Sequence, residues 1–255
     1  MNTIAVGDIH GRADLLERLL KNIQAHHSGA RVVFLGDIID RGPDSKDCLD
    51  MVESELKRNA ASTHIMGNHE DLMLRFIDGG SARSTSWCWN GGLATVTSYG
   101  FHGYGFRGED GLTYLRDELA DILSTKYKSH IEMIRTARAF VELPGYILVQ
   151  AGIVPGLPME QQDPYTLRWD SKSLVAYENR LGKTVVHGHT VTQSLLPEVY
   201  RNRINLDCGA YDSGTLCAAI LSEEASPSFI LSVDRDGICG IQDTAQPFGL
   251  LMASL

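Results

Sequence analysis

The stretch Val32-Val33-Phe34-Leu35-Gly36-Asp37-Ile38-Ile39-Asp40-Arg41-Gly42 decides how this chain is read. A short apolar run bounded by glycine reads as a buried strand, and the glycine marks the turn that leaves the sheet. Asp37 then stands at the carboxyl end of that strand. The pattern recurs on both sides. Upstream, Ile4-Ala5-Val6 ends in Gly7-Asp8-Ile9-His10-Gly11, and Leu15, Leu16, Leu19, Leu20 and Ile23 follow at helical spacing. Downstream, Pro43 opens a second helical stretch, where its missing N–H is no loss, with Cys48, Leu49, Met51, Val52 and Leu56 as apolar positions. Thr63-His64-Ile65-Met66 ends in Gly67-Asn68-His69-Glu70, and a third helix runs to Ile77. About 30 residues separate Asp8 from Asp37, and Asp37 from Asn68, the size of a strand–helix–strand unit. Such units give parallel strands with right-handed crossovers. Asp8, Asp37 and Asn68 therefore fall on one edge of one sheet, the edge where open α/β sheets bind ligands.

From residue 79 to 142 the chain turns polar and aromatic, with Leu115, Leu119, Ile122 and Leu123 marking one amphipathic helix. This stretch reads as a partly helical cap inserted over the sheet edge, within a single domain spanning 1–255. Strand patterns return at Tyr146–Val149, Thr184–Val186, Ile204–Leu206, Leu216–Leu221 and Phe229–Val233. Fewer helices lie between them, which predicts partly antiparallel pairing. The expected architecture is α/β: a sandwich of two mixed β-sheets flanked by helices.

Composition narrows the class. Hydrophobic residues make up 43% of 255, enough for a substantial core. A net charge of −9 argues against a nucleic-acid surface, which carries a clustered basic stripe. No apolar run approaches the roughly 18 residues of a membrane span, and no charged and apolar leader precedes the first strand, so neither a membrane segment nor a signal peptide is expected. The five scattered cysteines form no Cys-x-x-Cys pair and read as reduced thiols of a cytoplasmic protein.

The strand ends carry the chemistry. Asp8 and His10 alternate past one strand end and can turn toward one ion. Asp37 can bridge two ions through its two oxygens, Asn68 offers an amide oxygen, and His189, in His187-Gly188-His189-Thr190, an imidazole nitrogen. A mixed oxygen and nitrogen set without thiolates suits Mn²⁺, Fe, Zn²⁺ or Mg²⁺ rather than Cu(I) or an iron–sulfur cluster. Two such ions about 3.5–4 Å apart can clamp a phosphoryl group and generate a nucleophilic hydroxide at neutral pH. Each motif alone reads more readily as a turn or a helix start than as a site; their joint placement is what points to a site.

On GDIHG, GDIIDRG, GNHE and GHT the chain resembles the calcineurin-like metallophosphoesterases, and within them the phosphoprotein phosphatase branch. The likeness extends to small bacterial and phage-type Ser/Thr phosphatases and the related symmetrical diadenosine tetraphosphatases. It implies a phosphatase with two divalent ions, Mn²⁺ first among the candidates. Asp8, His10 and Asp37 would hold one ion. Asp37, Asn68, His189 and a histidine at the place of Gln150 would hold the other. It further implies His69 as general acid, oriented by Asp40, and Arg41, with Asn68, as a phosphate grip. Attack would come in line from a metal-bridging hydroxide on a phosphorylated protein, peptide or small phosphoester. Diadenosine tetraphosphate is the alternative substrate, and a non-catalytic phosphate-binding protein the second alternative.

Two departures stand out. Gln150 replaces the expected ligand in Val149-Gln150-Ala151-Gly152, which predicts a weakened or empty second metal position. Ser171 replaces an arginine that the branch often carries after its tryptophan, here Trp169. Arg168 is a candidate substitute on a segment read as extended. Val191 follows Thr190 where the wider superfamily often has a further histidine, leaving His187 supporting or structural. Asp207 reads as a support for His189 or as a turn residue. Trp87, Trp89 and Tyr99 are expected to pack the cap, and Arg83 and Arg107 are candidates for a second phosphate.

Overall fold

Alternation along the first strands builds the layers. In this computed structural model, residues 2–79, 86–102, 108–235 and 238–244 are described. β1 (Thr3–Val6), β2 (Arg31–Phe34) and β3 (Thr63–His64) pair in parallel, and α1 (Ala13–His26) and α2 (Ser45–Arg58) connect them. Antiparallel strands β9 (Thr215–Leu221), β10 (Ser228–Arg235) and β11 (Ile238–Thr244) extend this sheet on the far side of β1, in the order β11-β10-β9-β1-β2-β3. The second sheet has the order β4-β5-β6-β8-β7, from β4 (Val141–Glu142), β5 (Tyr146–Leu148), β6 (Thr184–His187), β7 (Glu198–Val199) and β8 (Arg203–Asn205). It too is mixed, with β5, β6 and β8 parallel. The expected sandwich of two mixed sheets is observed.

Because strand side chains point alternately to opposite faces, β1 and β2 serve two cores. Ile4, Val6, Val32 and Phe34 pack with Leu15, Leu16, Leu19, Leu49 and Val52 from the helices. Ala5, Val33 and Leu35 face the other way, onto Val186, Ile204 and Leu206 of the second sheet. A third cluster, with Val149, Leu167, Leu174 and Val185, covers that sheet's outer face. The order is helices, sheet, sheet, then short helices α7 (Pro164–Trp169) and α8 (Lys172–Val175).

Several local expectations shift. α2 starts at Ser45, so Pro43 lies in the turn before it, where the N–H of Asp44 donates to the Gly11 carbonyl. The stretch read as a cap carries α4 (Leu93–Ser98), α5 (Gly108–Ser124) and α6 (Lys128–Arg135), but Val141 and Glu142 at its end already pair into the second sheet. Trp87 and Tyr99 are buried, whereas Trp89 is 69% exposed. His130 ties this stretch to α2, bonding the Tyr99 hydroxyl at 2.8 Å and Asp50 at 2.9 Å. Arg83 and Arg107 lie outside the described residues. Among the described residues no helix is long and apolar enough to cross a membrane.

Candidate active site

The loops after β1 and β2 interlock. The N–H groups of Ile9 and His10 both donate to the Asp37 carbonyl, at 3.1 and 2.9 Å, and the N–H of Gly42 donates back to the His10 carbonyl at 3.1 Å. A Cβ on Gly42 would stand 2.2 Å from that His10 oxygen, so only glycine lets the loops meet. Among the described residues, positive φ outside glycine occurs at His10, Asp37, Asp40, Arg41, His189 and Leu195. Five of those six are residues picked from the sequence as functional, consistent with strained backbone gathering at sites.

α3 (Asn68–Ile77) brings the third motif to the same place. Its Glu70 carboxylate accepts the N–H groups of Asp37, Ile38 and Ile39, at 3.0, 2.8 and 3.2 Å, and so sets the β2 loop. Gly67 has no room for a side chain: a Cβ would lie 2.2 Å from both the Asp37 nitrogen and the Glu70 carboxylate. The N–H of His69 donates to Asp37 at 3.1 Å.

His10, Asp37 and His69 place their ligand atoms within 4.8 Å of one another. His10 Nδ1 bonds the Ile39 carbonyl at 2.9 Å, which leaves Nε2 facing Asp37 Oδ2 at 3.8 Å. Burial pushes the His10 imidazole down to about 3, against the pull of Asp37, so the ring is neutral and has a lone pair to offer. Asp8 stands beside this trio and takes the His189 N–H at 2.9 Å. Burial, then the charges of Asp207 and Asp37, push its carboxyl well above the usual carboxylate range. Burial pushes Asp207 up to about 6. Asp8 Oδ1 and Asp207 Oδ2 have no hydrogen-bond partner among the described residues. Crowded, buried, partly unpartnered carboxylates beside a neutral imidazole are a donor set that fits divalent cations, which would reverse this local repulsion.

The second sheet completes the site. β5 and β6 run parallel in register, and the N–H of Gly188 donates to the Gln150 carbonyl at 2.9 Å, which sets Gln150 beside the His187–His189 turn. His189 Nδ1 meets Asn68 Oδ1 at 2.8 Å across the two sheets. Gly188 is obligatory, since a Cβ there would fall 1.8 Å from Asp8 Oδ1.

Asp40 anchors the other flank. Its Oδ2 accepts His69 Nδ1 at 2.7 Å and Trp87 Nε1 at 2.8 Å, and its Oδ1 accepts the Thr95 hydroxyl at 2.6 Å. Burial disfavours the His69 imidazolium, but Asp37 and Asp40 outweigh it and lift His69 above its ordinary value. Arg41 Nη2 lies 3.2 Å from His69 Nε2, and its guanidinium carbon sits 4.7 Å over the Tyr211 ring. Tyr211, on α9 (Ala210–Ser213), also meets the His10 ring edge-on at 5.4 Å.

Asp8, His10, Asp37, Asn68, His69, Asp40, Arg41, Gln150 and His189 thus meet at one place. Arg168 does not join them. It lies on a helix rather than an extended segment, and donates to Asp71 at 3.1 Å, a carboxylate that also holds Trp169 and Arg75. Asp207 accepts the Gly209 N–H at 2.9 Å, a turn role, while its charge bears on Asp8. Sequence reasoning missed the roles of Tyr211 and Thr95, which carry no spacing signal. It also left Glu70 unassigned, although Glu70 stands inside a motif it had picked out.

A model of the calcineurin-like phosphoesterase family matches residues 1–193. The chain belongs to that family. It is a metal-dependent phosphoester hydrolase. The serine/threonine-protein phosphatase 1 of Salmonella typhimurium is 40% identical over 87 residues, 34% of this chain and 37% of that protein. The asymmetrical bis(5'-nucleosyl)-tetraphosphatase PrpE of Oceanobacillus iheyensis is 27% identical over 232 residues, 84% of this chain and 86% of its own length. A crystal structure assigned provisionally as a diadenosine tetraphosphatase shares the fold, with a TM-score of 0.60 at 21% identity over 92% of this chain and 95% of that one.

Proposed function

We propose that this phosphoesterase hydrolyses phosphate monoesters, phosphoserine and phosphothreonine or small phosphoesters, by direct attack of water without a covalent phosphoenzyme. The observation that carries this reading is Arg41. Its guanidinium lies over Tyr211 and beside His69, and it has no carboxylate partner among the described residues. A planar, permanently charged fork with open donors suits the oxygens of a terminal phosphate.

Asp8, His10 and Asp37 would hold one divalent ion, and Asp37, Asn68 and His189 a second, with Mn²⁺ the proposed metal. When bound, the ions supply Lewis acidity and a water acidified toward neutral pH. His69 protonates the departing alkoxide. Its raised pKa keeps the imidazolium available near neutral pH, and Asp40 fixes the ring through Nδ1. Arg41 and the Asn68 amide orient the phosphate. Free thiols at Cys48, Cys88, Cys208, Cys217 and Cys239 support a cytoplasmic setting.

Hydrolysis of dinucleoside polyphosphates is the second reading, favoured by the near full-length likeness to the Oceanobacillus tetraphosphatase. Parallel assays with Mn²⁺ on a phosphothreonine peptide, p-nitrophenyl phosphate and diadenosine tetraphosphate separate the two. Phosphate release from the monoesters at the higher kcat/KM is expected. Nucleotide release from the dinucleotide with inert monoesters would put the second reading first.

A further inference from the structure

We propose that Gln150 is a metal ligand acting through its amide oxygen, and that it makes the Asn68–His189 side of the centre a position tuned toward oxygen-preferring ions such as Mn²⁺ and Mg²⁺ and away from Zn²⁺. The inference rests on the metal-dependent reading of the site above.

Gln150 is completely buried. A buried amide normally satisfies both of its ends. Here, among the described residues, Oε1 has no partner, and Nε2 reaches only Asp8 Oδ2, at 3.4 Å. The backbone is fixed on both sides: Val149 donates to the Val186 carbonyl at 3.1 Å, and the Gln150 carbonyl accepts from Gly188 at 2.9 Å. The side chain is thus held at its root and weakly bound at its tip. The space at the tip is kept open by Gly36, where a Cβ would stand 2.5 Å from Oε1 and 2.7 Å from the backbone of Gly67, the residue before Asn68.

The tip is linked to the other donors of this side through Asp8, a ligand candidate of the first ion. Asp8 Oδ2 receives both Gln150 Nε2 and the His189 N–H, and His189 meets Asn68 at 2.8 Å. The terminal amide torsion of glutamine is broad, so the amide can turn its oxygen toward a cation and release the long contact to Asp8. The donor set then holds oxygens from Asp37, Asn68 and Gln150 and one imidazole nitrogen, from His189. Neutral amide oxygens are ordinary ligands for hard cations, whereas Zn²⁺ gains more from imidazole. Zn²⁺ outranks Mn²⁺ at almost any fixed set of donors, so the quantity that reports Gln150 is the ratio of the two affinities.

Titration calorimetry of the metal-stripped full chain with Mn²⁺ alone and with Zn²⁺ alone, together with EPR of the Mn²⁺ form, reads this without turnover. Two Mn²⁺ per chain with an exchange-coupled spectrum are expected. Gln150→His should raise the ratio of Zn²⁺ to Mn²⁺ affinity at the weaker position by about tenfold or more, the scale on which ligand-shell changes act. Gln150→Leu should keep the fold by circular dichroism and bind one Mn²⁺. A single Mn²⁺ in the wild-type chain, an unchanged ratio in Gln150→His, or two Mn²⁺ in folded Gln150→Leu overturns the proposal. If Gln150→Leu does not fold, the ratio in Gln150→His decides. A wild-type chain that binds no Mn²⁺ at all overturns the metal assignment under the proposed function as well, which distinguishes the two failures.

Discussion

Three donors converge on the Asp40 carboxylate: His69 Nδ1, the Trp87 indole N–H and the Thr95 hydroxyl. In Asp40→Asn the amide oxygen can still accept from His69 and Trp87, with its NH₂ turned to the Thr95 hydroxyl, but the charge that lifts His69 is gone. The kcat is expected to fall by about 10²-fold or more. Because Asp40 raises the His69 pKa, its loss lowers that pKa, and the alkaline limb of the kcat–pH profile should move to lower pH. An unmoved limb at near-normal kcat would remove His69 from the acid role. Across the site, Tyr211 holds Arg41 by a cation–π contact. Tyr211→Ala should raise KM roughly fivefold, the loss of about 1 kcal/mol, with a smaller effect on kcat. Tyr211→Phe keeps the ring face and should keep KM. Matching KM values in the two variants would show that the ring does not position Arg41. Asp40 and Arg41 were legible in the sequence because they stand in a motif at a strand end. Tyr211 was not, because it comes from a turn some 170 residues away whose only signal is proximity.

At the level of elements, the β2 loop is shaped by α3. Three consecutive N–H groups of that loop end on the one Glu70 carboxylate, so a side chain in the first turn of one helix sets the backbone at Asp37. Glu70→Gln turns an NH₂ group toward at least one of these donors, and leaving a buried donor unsatisfied costs about 1–3 kcal/mol. Urea unfolding of the metal-stripped variant above pH 8, where Glu70, raised to about 8, is ionised, should show that loss; an unchanged midpoint would mean the loop is held by other contacts. The strand–helix periodicity of the first 77 residues predicted these elements because their hydrophobic repeats are unambiguous. The segment around Arg168 was misread as extended. Pro164 sits at its N-terminus, and the Asp163 side chain caps it by accepting the Tyr165 N–H, while Asp71, the partner that turns Arg168 away, is far off in sequence.

Taken as a whole molecule, the protein concentrates buried acids where the two sheets meet. Burial, with the charge of Asp37, pushes Glu70 up to about 8, and Asp37 and Asp40 outweigh burial to raise His69 as well. A group whose pKa is higher in the fold stabilises it below the unfolded value and loses that contribution as pH rises through the folded value. His10 and His187, lowered to about 3 and about 4, act in the opposite direction, but only below the ordinary histidine value of 6.5. The metal-stripped chain should therefore lose thermal stability between about pH 6.5 and 8, and Mn²⁺ should restore it most at the upper end. A Tm that rises across this window without metal would contradict the arrangement.

By itself the sequence determined most of the strands, though not β4, β7 or β11, the glycine-bounded turns that end the first three, and the identity of most ligand candidates, because apolar periodicity and turn chemistry are local properties of the chain. It also determined that position 150 carries an amide. Only the tertiary structure decided that Gln150 and His189 face Asp8 and Asn68, since this follows from packing one mixed sheet against another in register. It likewise decided that Arg168 is spent on Asp71, that Tyr211 carries Arg41, and that the Gln150 oxygen is left without a partner among the described residues. Each of these depends on pairs of groups far apart in sequence, which no local pattern records.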